Sequence, residues 1–580
     1  MSIATEQQAG STLAEGSPKS FPGRREWRHG MVGELLVVFV AVFAVAFLLS
    51  NRAVNLYDEG ILLTAVMRTM AGQVLHRDFY YNYGPAQLYL LAGLFKVFGS
   101  SVLLERLVGL FAGSFLGVSL YGLARRFCGR SVALATVLCF VLWGIGENFI
   151  PSFLLSSVCV LILWSTYLNV VSAQQKVDRR RSFAAGLLVG VLFAFRYDMG
   201  VMLVAGHVVA IAVVIYRRAR DGERRGRVLG SWLASYVGGF VLVAVPIMTA
   251  YLAVAPLHDL LYDIVLYTAK YYRAGRALPP PSIFGPSWNN LAVYLLPVLL
   301  GLAVYVGVIG IRRRRSAADA KATEPSVWAE FMLSLALVAL LLSVKGLVRI
   351  SAGAMYACLI PSLLLGAMVY QFRNYLGQHG SNLGRSLRGV LFVTIVLFFV
   401  LGFLSLQNTV LVERQQRAIM LKWIIAPVNQ APLPPDRGWC KTSNVITWGM
   451  CYSIESDSIA TVKYLTEHTN PQDTIYVGLP KHDRIVMNNN LLYFAAQRLP
   501  ATKWSHFDPF LQNRADIQQE MIGELERNRP PYVVLDGRFQ NIHEPNGSSV
   551  STGVHLLDDY IASHYTFVQR YGMLTILKRD

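Results

Sequence analysis

Charge is scarce in this chain. Asp, Glu, Lys and Arg make up 15% of its 580 residues and 54% are hydrophobic, too little polar surface for an ordinary soluble enzyme. Acidic residues are the scarcer sign, 35 against 53 Lys and Arg, which leaves a net charge of +18. That excess alone would suit nucleic acid, but it is confined to short clusters between apolar runs: Arg24-Arg25 and Arg28, Arg125-Arg126 and Arg130, Arg179–Arg181, Arg217–Arg227 and Arg312–Arg315. Cytoplasmic loops of membrane proteins collect cations in this way, so topology accounts for the charge and no nucleic-acid partner is expected. Cysteine is rare. Four of the six (Cys128, Cys139, Cys159, Cys358) sit in or beside apolar runs, where they act as small fillers. Cys440 and Cys451, flanked by Trp439 and Trp448, are spaced for a disulfide in an oxidising compartment. The C-terminal part, from about residue 452, has no nucleophile elbow, phosphate-cradling glycine loop or metal-ligand spacing, and the chain shows no internal repeat of the kind that marks transporters.

What the chain does have is apolar runs long enough to cross a bilayer. Spans are expected at about 31–50, 102–124, 131–147, 152–172, 183–196, 198–216, 228–253, 291–311, 327–344, 352–370 and 389–406. With a cytoplasmic N-terminus, these eleven crossings put every arginine cluster inside. Residues 58–59, the loop 254–290 and everything beyond about 407 then lie outside. The run 86–98 must be a juxtamembrane helix, because counting it as a crossing would move Arg179–Arg181 and Arg312–Arg315 outside. The first span follows basic residues and lacks a small-residue cleavage site, so it reads as a retained anchor.

The expected fold class is a polytopic α-helical membrane protein with a small C-terminal extracytoplasmic α/β domain. Residues 1–23 form a polar, disordered cytoplasmic tail, 24–406 the membrane domain with outer loop 51–101, 407–451 a Pro-rich connector and 452–580 the α/β unit. Helices are expected at 458–468, 515–528 and 558–564, with strands at 474–478, 532–535, 565–569 and 573–578. The domain's polar features, His482-Asp483, Asn488–Asn490 and His506-Phe507-Asp508, read as isolated, and its expected role is acceptor guidance or support.

The strongest chemical signal is the pair Asp58-Glu59, just past the first span, because carboxylates beside hydrocarbon are costly. Such a pair can simply favour a helix N-terminus. It can also take the proton from an attacking hydroxyl. The surrounding pattern is Asp58-Glu59-Gly60, a helix ending at Gly72, Arg77-Asp78-Phe79, Tyr83-Gly84-Pro85, Tyr89, Phe98-Gly99 and Glu105-Arg106-Leu107. It resembles the first outer loop of the GT-C integral-membrane glycosyltransferases, in the branch of protein O-mannosyltransferases and the lipid A aminoarabinose transferase. The likeness is clear over about 50–135, weaker to about 370, and absent as motif beyond.

The resemblance implies transfer of a sugar from a polyprenyl-phosphate donor to a lipid, glycan or protein hydroxyl on the outer face, usually with inversion. Asp58 would be the base and Glu59 its catalytic neighbour. The chain departs from many relatives at Tyr83-Gly84-Pro85-Ala86, where they carry a double proline and a basic residue. It departs again after Arg349, where Ile350-Ser351 replaces an expected Asp and His. The fit is to a bacterial plasma membrane, with a flippase of lipid-linked saccharides or a polymerase or ligase of lipid-linked glycans as alternatives.

A phosphate leaving group needs cations. The outer-side candidates are Arg196 beside Asp198, Lys345, Arg349, and the loop residues Lys270, Arg273 and Arg276. Arg77, Asp78, Tyr83 and Glu147 complete the candidate substrate-binding set. Asp78 or Glu147 would hold an acceptor or a divalent ion, although no ligand spacing supports a metal. Each charge also has a plainer reading, as a structural ion pair, a snorkelling cation or a solvated loop carboxylate. The tyrosine-rich stretch His258–Arg273 reads either as a cap over the site or as an interfacial anchor.

Overall fold

A computed structural model describes residues 27–49, 54–147, 152–173, 177–218, 222–282, 288–316, 327–377, 381–412 and 454–580. The N-terminal tail to residue 23, most of the connector, and the pair Cys440 and Cys451 lie outside the described residues.

Among the described residues, eight helices are long and apolar enough to cross a membrane: α1 (Trp27–Leu49), α4 (Val102–Phe127), α6 (Phe153–Ser172), α8 (Tyr197–Arg218), α9 (Gly222–Val254), α12 (Ala292–Ser316), α13 (Val327–Gly346) and α15 (Asn382–Val412). The other three expected spans are shorter helices: α5 (Arg130–Gly146) and α7 (Arg179–Phe195) of 17 residues and α14 (Tyr356–Gln371) of 16. At 1.5 Å per residue they rise only about 25 Å. For α14 the reason for the short length is its setting. Its residues from Tyr356 to Val369 are all buried, so it meets other helices and not lipid. The protein is an integral membrane helical bundle, and a small mixed sheet follows it.

The bundle has two distinct ends. Arg125, Arg126, Arg218, Arg225 and Arg312 mark helix termini at one. The opposite termini carry α2 (Asp58–Met70), α3 (Pro85–Phe98), the α7–α8 break at Arg196 and the C-terminal domain. The apolar helix α3 buries Leu88, Leu91, Ala92 and Phe95, one face at helical spacing. That face joins the same hydrophobic core as Ile475 and Phe494 of the C-terminal domain, with the Phe95 and Phe494 rings 6.2 Å apart. A helix seated on a soluble domain in this way lies along the bundle end.

The C-terminal domain holds α16 (Ser456–His468), β1 (Thr474–Gly478), α17 (Leu491–Ala496), β2 (Leu499–Pro500), α18 (Ala515–Asn528), β3 (Tyr532–Asp536), α19 (Leu556–His564), β4 (Tyr565–Tyr571) and β5 (Leu574–Arg579). The strand order is β2-β1-β3-β5-β4, parallel from β2 to β3 and antiparallel beyond. Helices 515–528 and strands 474–478 match the sequence reading, whereas α17 and β2 have no counterpart in it. The domain is not a loose appendage. Asn490 and Leu491 donate backbone hydrogen bonds to the Leu56 carbonyl, and Thr64 Oγ1 donates to the Asn490 carbonyl at 2.9 Å.

Candidate active site

Asp58 opens α2. Asn55 Oδ1 accepts from the backbone N–H of Tyr57 and of Asp58, each at 2.9 Å, which satisfies donors the helix itself cannot. Gly60 follows because a side chain there would collide with the docked domain, its Cβ falling 2.5 Å from Leu491 N. The motif glycine therefore fixes how closely the C-terminal domain approaches the acidic pair.

The two neighbouring acids have different surroundings. Glu59 is closed in a bidentate pair with Arg106 of α4, at 2.7 and 2.8 Å, and also accepts from Asn55 N. The Asp58 carboxylate is open to solvent, its hydrogen bond a long one from Asn55 Nδ2 at 3.3 Å. Burial raises its affinity for a proton above the usual aspartate value, and Arg276 and Arg349 oppose that rise.

Arg276 and Arg349 each arrive with a partner from the C-terminal domain. Arg276 ends α11 (Arg273–Arg276) and donates to Asp508 Oδ1 at 2.5 Å and to the Tyr57 hydroxyl at 2.7 Å. The Tyr57 hydroxyl in turn donates to the Phe507 carbonyl at 2.8 Å. Arg349 forms a bidentate pair with Glu544 at 2.7 and 3.0 Å. Beside them Arg196 pairs with both oxygens of Asp198 at 3.1 Å and lies 4.6 Å from the Tyr83 ring, while Lys345 also bonds Asp198. Gly84 makes this packing possible: its N–H donates to the Phe195 carbonyl, and a Cβ would fall 2.1 Å from the Ala194 carbonyl oxygen. Tyr83 carries an electrostatic coupling to both Arg196 and Asp58, and burial pushes its phenol up to about 12. Tyr83, Arg196, Asp198, Lys345 and Arg349 thus gather around the Asp58 end of the molecule.

Other expected residues stand apart. Arg77 and Asp78 pair with each other at 2.7 Å on the surface, and Asp78 also accepts from Val74 N. Glu147, past the end of α5, accepts from Ser405 of α15 at 2.9 Å. Lys270 and Arg273 are exposed, Lys270 lying over its neighbour Tyr271. The idea of a divalent ion held by Asp78 or Glu147 finds no fit here. Among the described residues no group of three or more His, Cys, Asp or Glu side chains is close enough to hold a metal ion.

The stretch 257–276 folds over the site as α10 (Leu257–Leu261), two π-helical turns and α11. Its polar and aromatic groups dock on protein: Asp263 on His76 at 2.9 Å, Asp259 on Lys503 at 3.0 Å and the Tyr267 hydroxyl on the Pro509 carbonyl at 3.0 Å. These contacts make it a cap on the C-terminal domain, while Leu257, Leu261, Val265 and Leu266 stay exposed, as an interfacial anchor requires, so the stretch fits both readings. The reading of His506-Phe507-Asp508 as isolated is also corrected. Asp508 holds Arg276, and His506 lies against Tyr57 and Tyr80 with ring centroids 6.2 and 5.2 Å away. Tyr57, Arg276, Asp508 and Glu544 are the site neighbours that spacing along the chain did not bring together.

A family model described as dolichyl-phosphate-mannose-protein mannosyltransferase matches residues 82–249. Among solved structures, ArnT from Cupriavidus metallidurans bound to undecaprenyl phosphate superposes with a TM-score of 0.52 at 12% identity, over 95% of this chain and 98% of that one. The chain has the GT-C glycosyltransferase fold. Apo ArnT from the same organism gives 0.50 at 12% identity, over 94% and 97% of the two chains. Arabinofuranosyltransferase AftD from Mycobacteria gives 0.47 at 12% identity, over 94% of this chain and 40% of that one. No curated protein matches the sequence. The GT-C fold here covers both the membrane bundle and the C-terminal domain, since the ArnT match runs over almost the whole length of each chain.

Proposed function

We propose that this protein transfers a sugar from a polyprenyl-phosphate carrier to a hydroxyl acceptor at the outer membrane surface, with Asp58 as general base. The observation that carries this reading is the contrast within the acidic pair: Glu59 is closed by Arg106, whereas Asp58 faces an opening with Arg276 and Arg349 close enough to act on it. The bound undecaprenyl phosphate of the structurally similar ArnT supports a carrier of that class.

The acceptor O–H loses its proton to Asp58 as its oxygen attacks the anomeric carbon. The bond from that carbon to the carrier's phosphate oxygen breaks on the opposite face, which inverts the configuration. The electron pair leaves on the phosphate, where Arg276, Arg349, Arg196 and Lys345 offset its charge, so no acid is needed to protonate the leaving group. Glu59 serves by tying the start of α2 to α4 through Arg106. The positive-inside rule favours cytosolic arginine-marked helix ends, which supports a site on the outer face, in our reading that of a bacterial inner membrane.

The test uses purified full-length protein in detergent with undecaprenyl-phosphate-linked sugars extracted from native membranes. Wild type is expected to release free undecaprenyl phosphate, and Asp58→Asn to lose this by about 10²–10⁴-fold while remaining folded. A flippase would release none in either form. Near-normal release from Asp58→Asn refutes the assignment.

A further inference from the structure

Arg276 and Asp508 lie 232 positions apart in the chain and form a nearly buried pair, their side chains 9% and 3% exposed. A buried pair of this kind is weak evidence of stability, because desolvation cancels much of the attraction. Its setting points to another role. The guanidinium bridges Asp508 and the Tyr57 hydroxyl, and Tyr57 immediately precedes Asp58. Asp508 is held in turn by Tyr80, whose hydroxyl donates to Oδ2 at 3.4 Å, and by the His506 Nε2, also 3.4 Å away. The loop carrying Asp508 packs closely against the cap and its neighbours. A Cβ on Gly275 would fall 2.6 Å from Pro509 Cβ, and one on Gly547 2.7 Å from the Phe510 ring. Arg276 is thus held from two sides, by Asp508 of the C-terminal domain and by the Tyr57 hydroxyl.

We propose that Asp508 is a positioning residue of the reaction centre: it holds the Arg276 guanidinium against Tyr57, so that the C-terminal domain completes the catalytic site. The inference rests on Asp58 being the base, and it extends that reading to a domain with no motif of its own. The groups facing Asp58 are Arg276 from the cap, Arg349 beyond α13, Asp508 from the C-terminal domain, Tyr83 before α3, and Asn55, Tyr57 and Glu59 beside it. Of the charges among these, Arg276 acts on it most strongly. The two charges of the pair pull the Asp58 carboxyl in opposite directions, which gives the test its sign. If Asp508 acted only through its own charge, removing it would make Asp58 ionise more readily. If Asp508 holds Arg276 in place, removing it releases the stronger influence, and Asp58 ionises less readily.

The readout needs no substrate. Infrared pH titration of the purified full-length protein, as a difference against Asp58→Asn, follows the Asp58 carboxyl band directly. Asp508→Asn is expected to move its midpoint upward by half a unit or more, with Asp508→Glu restoring at least part of the shift. Arg276→Gln is expected to do the same, and adding Asp508→Asn to it to move the midpoint no further upward. An unchanged or lowered midpoint in Asp508→Asn overturns the proposal. Should that single variant not fold, Asp508→Asn with Arg276→Gln keeps the hydrogen-bonding shape without either charge. A wild-type midpoint in that double variant overturns it equally. Normal sugar release by Asp58→Asn would sink the function assignment but would leave the titration result standing.

Discussion

The two ends of the helical bundle use the same residue types for different ends. At one, Arg130 lies 3.4 Å from Glu34 with a side chain 67% exposed and Arg181 lies 3.2 Å from its helix-start neighbour Asp178, while Arg218 alone of those named is closed bidentately on the buried Glu330. At the other, Arg276 and Arg196 are nearly buried, each fixed in orientation by a carboxylate. Exposed, screened pairs contribute little, so the first set records which side of the membrane each loop occupies. The second set costs desolvation and persists where a charged ligand or reaction makes use of it. On the function proposed above, the exposed pairs mark topology and the buried ones near Asp58 serve the reaction, a distinction that composition merges into one net charge.

Four substitutions probe that contrast. The largest effect is expected from Gly84→Ala, which forces a Cβ into the Ala194 carbonyl and parts Tyr83 from Arg196. It should cost several kcal/mol and abolish sugar release, as measured by thermal unfolding and the carrier-release assay. Next, Arg349→Gln is expected to raise the KM for the lipid-linked donor about tenfold, equivalent to about 1.4 kcal/mol, with the fold intact. An unchanged KM would remove Arg349 from the phosphate site. Third, burial raises the Glu524 carboxyl to about 7 from its ordinary 4.5. The folded protein then keeps a proton the unfolded chain has lost, so stability falls as pH rises from 4.5 to 7. Glu524→Gln removes that loss and should stabilise by about 2 kcal/mol at pH 8, with little effect at pH 4.5. Smallest, Arg181→Gln at the opposite end should leave release within about twofold and stability within about 0.5 kcal/mol.

Sequence made the membrane class and the acidic pair legible, because hydrocarbon enforces long apolar runs and makes a carboxylate beside them conspicuous. The strands Thr474–Gly478 and Tyr532–Asp536 were readable, the second to Leu535, as short β-branched and aromatic runs, and the helix Ala515–Asn528 from its amphipathic spacing. The helix Leu491–Ala496 was not, since all six of its residues are buried and it presents no alternation to read. Nor did the residues themselves separate Asp58 from Glu59, which are chemically alike and adjacent; only the resemblance named Asp58 as the base. What separates them is Arg106, 47 positions away, which closes one and leaves the other. The same holds for Asp508. In sequence His506-Phe507-Asp508 reads as isolated, and only the fold brings Asp508 to Arg276, 232 positions away.

The most direct measurement compares free carrier released per unit time by Asp58→Asn and by Glu59→Gln, each purified and shown to be folded. Release falling by orders of magnitude in Asp58→Asn, with turnover still measurable in Glu59→Gln, is the result predicted here. The reverse order, with Glu59→Gln inactive and Asp58→Asn near normal, would contradict it.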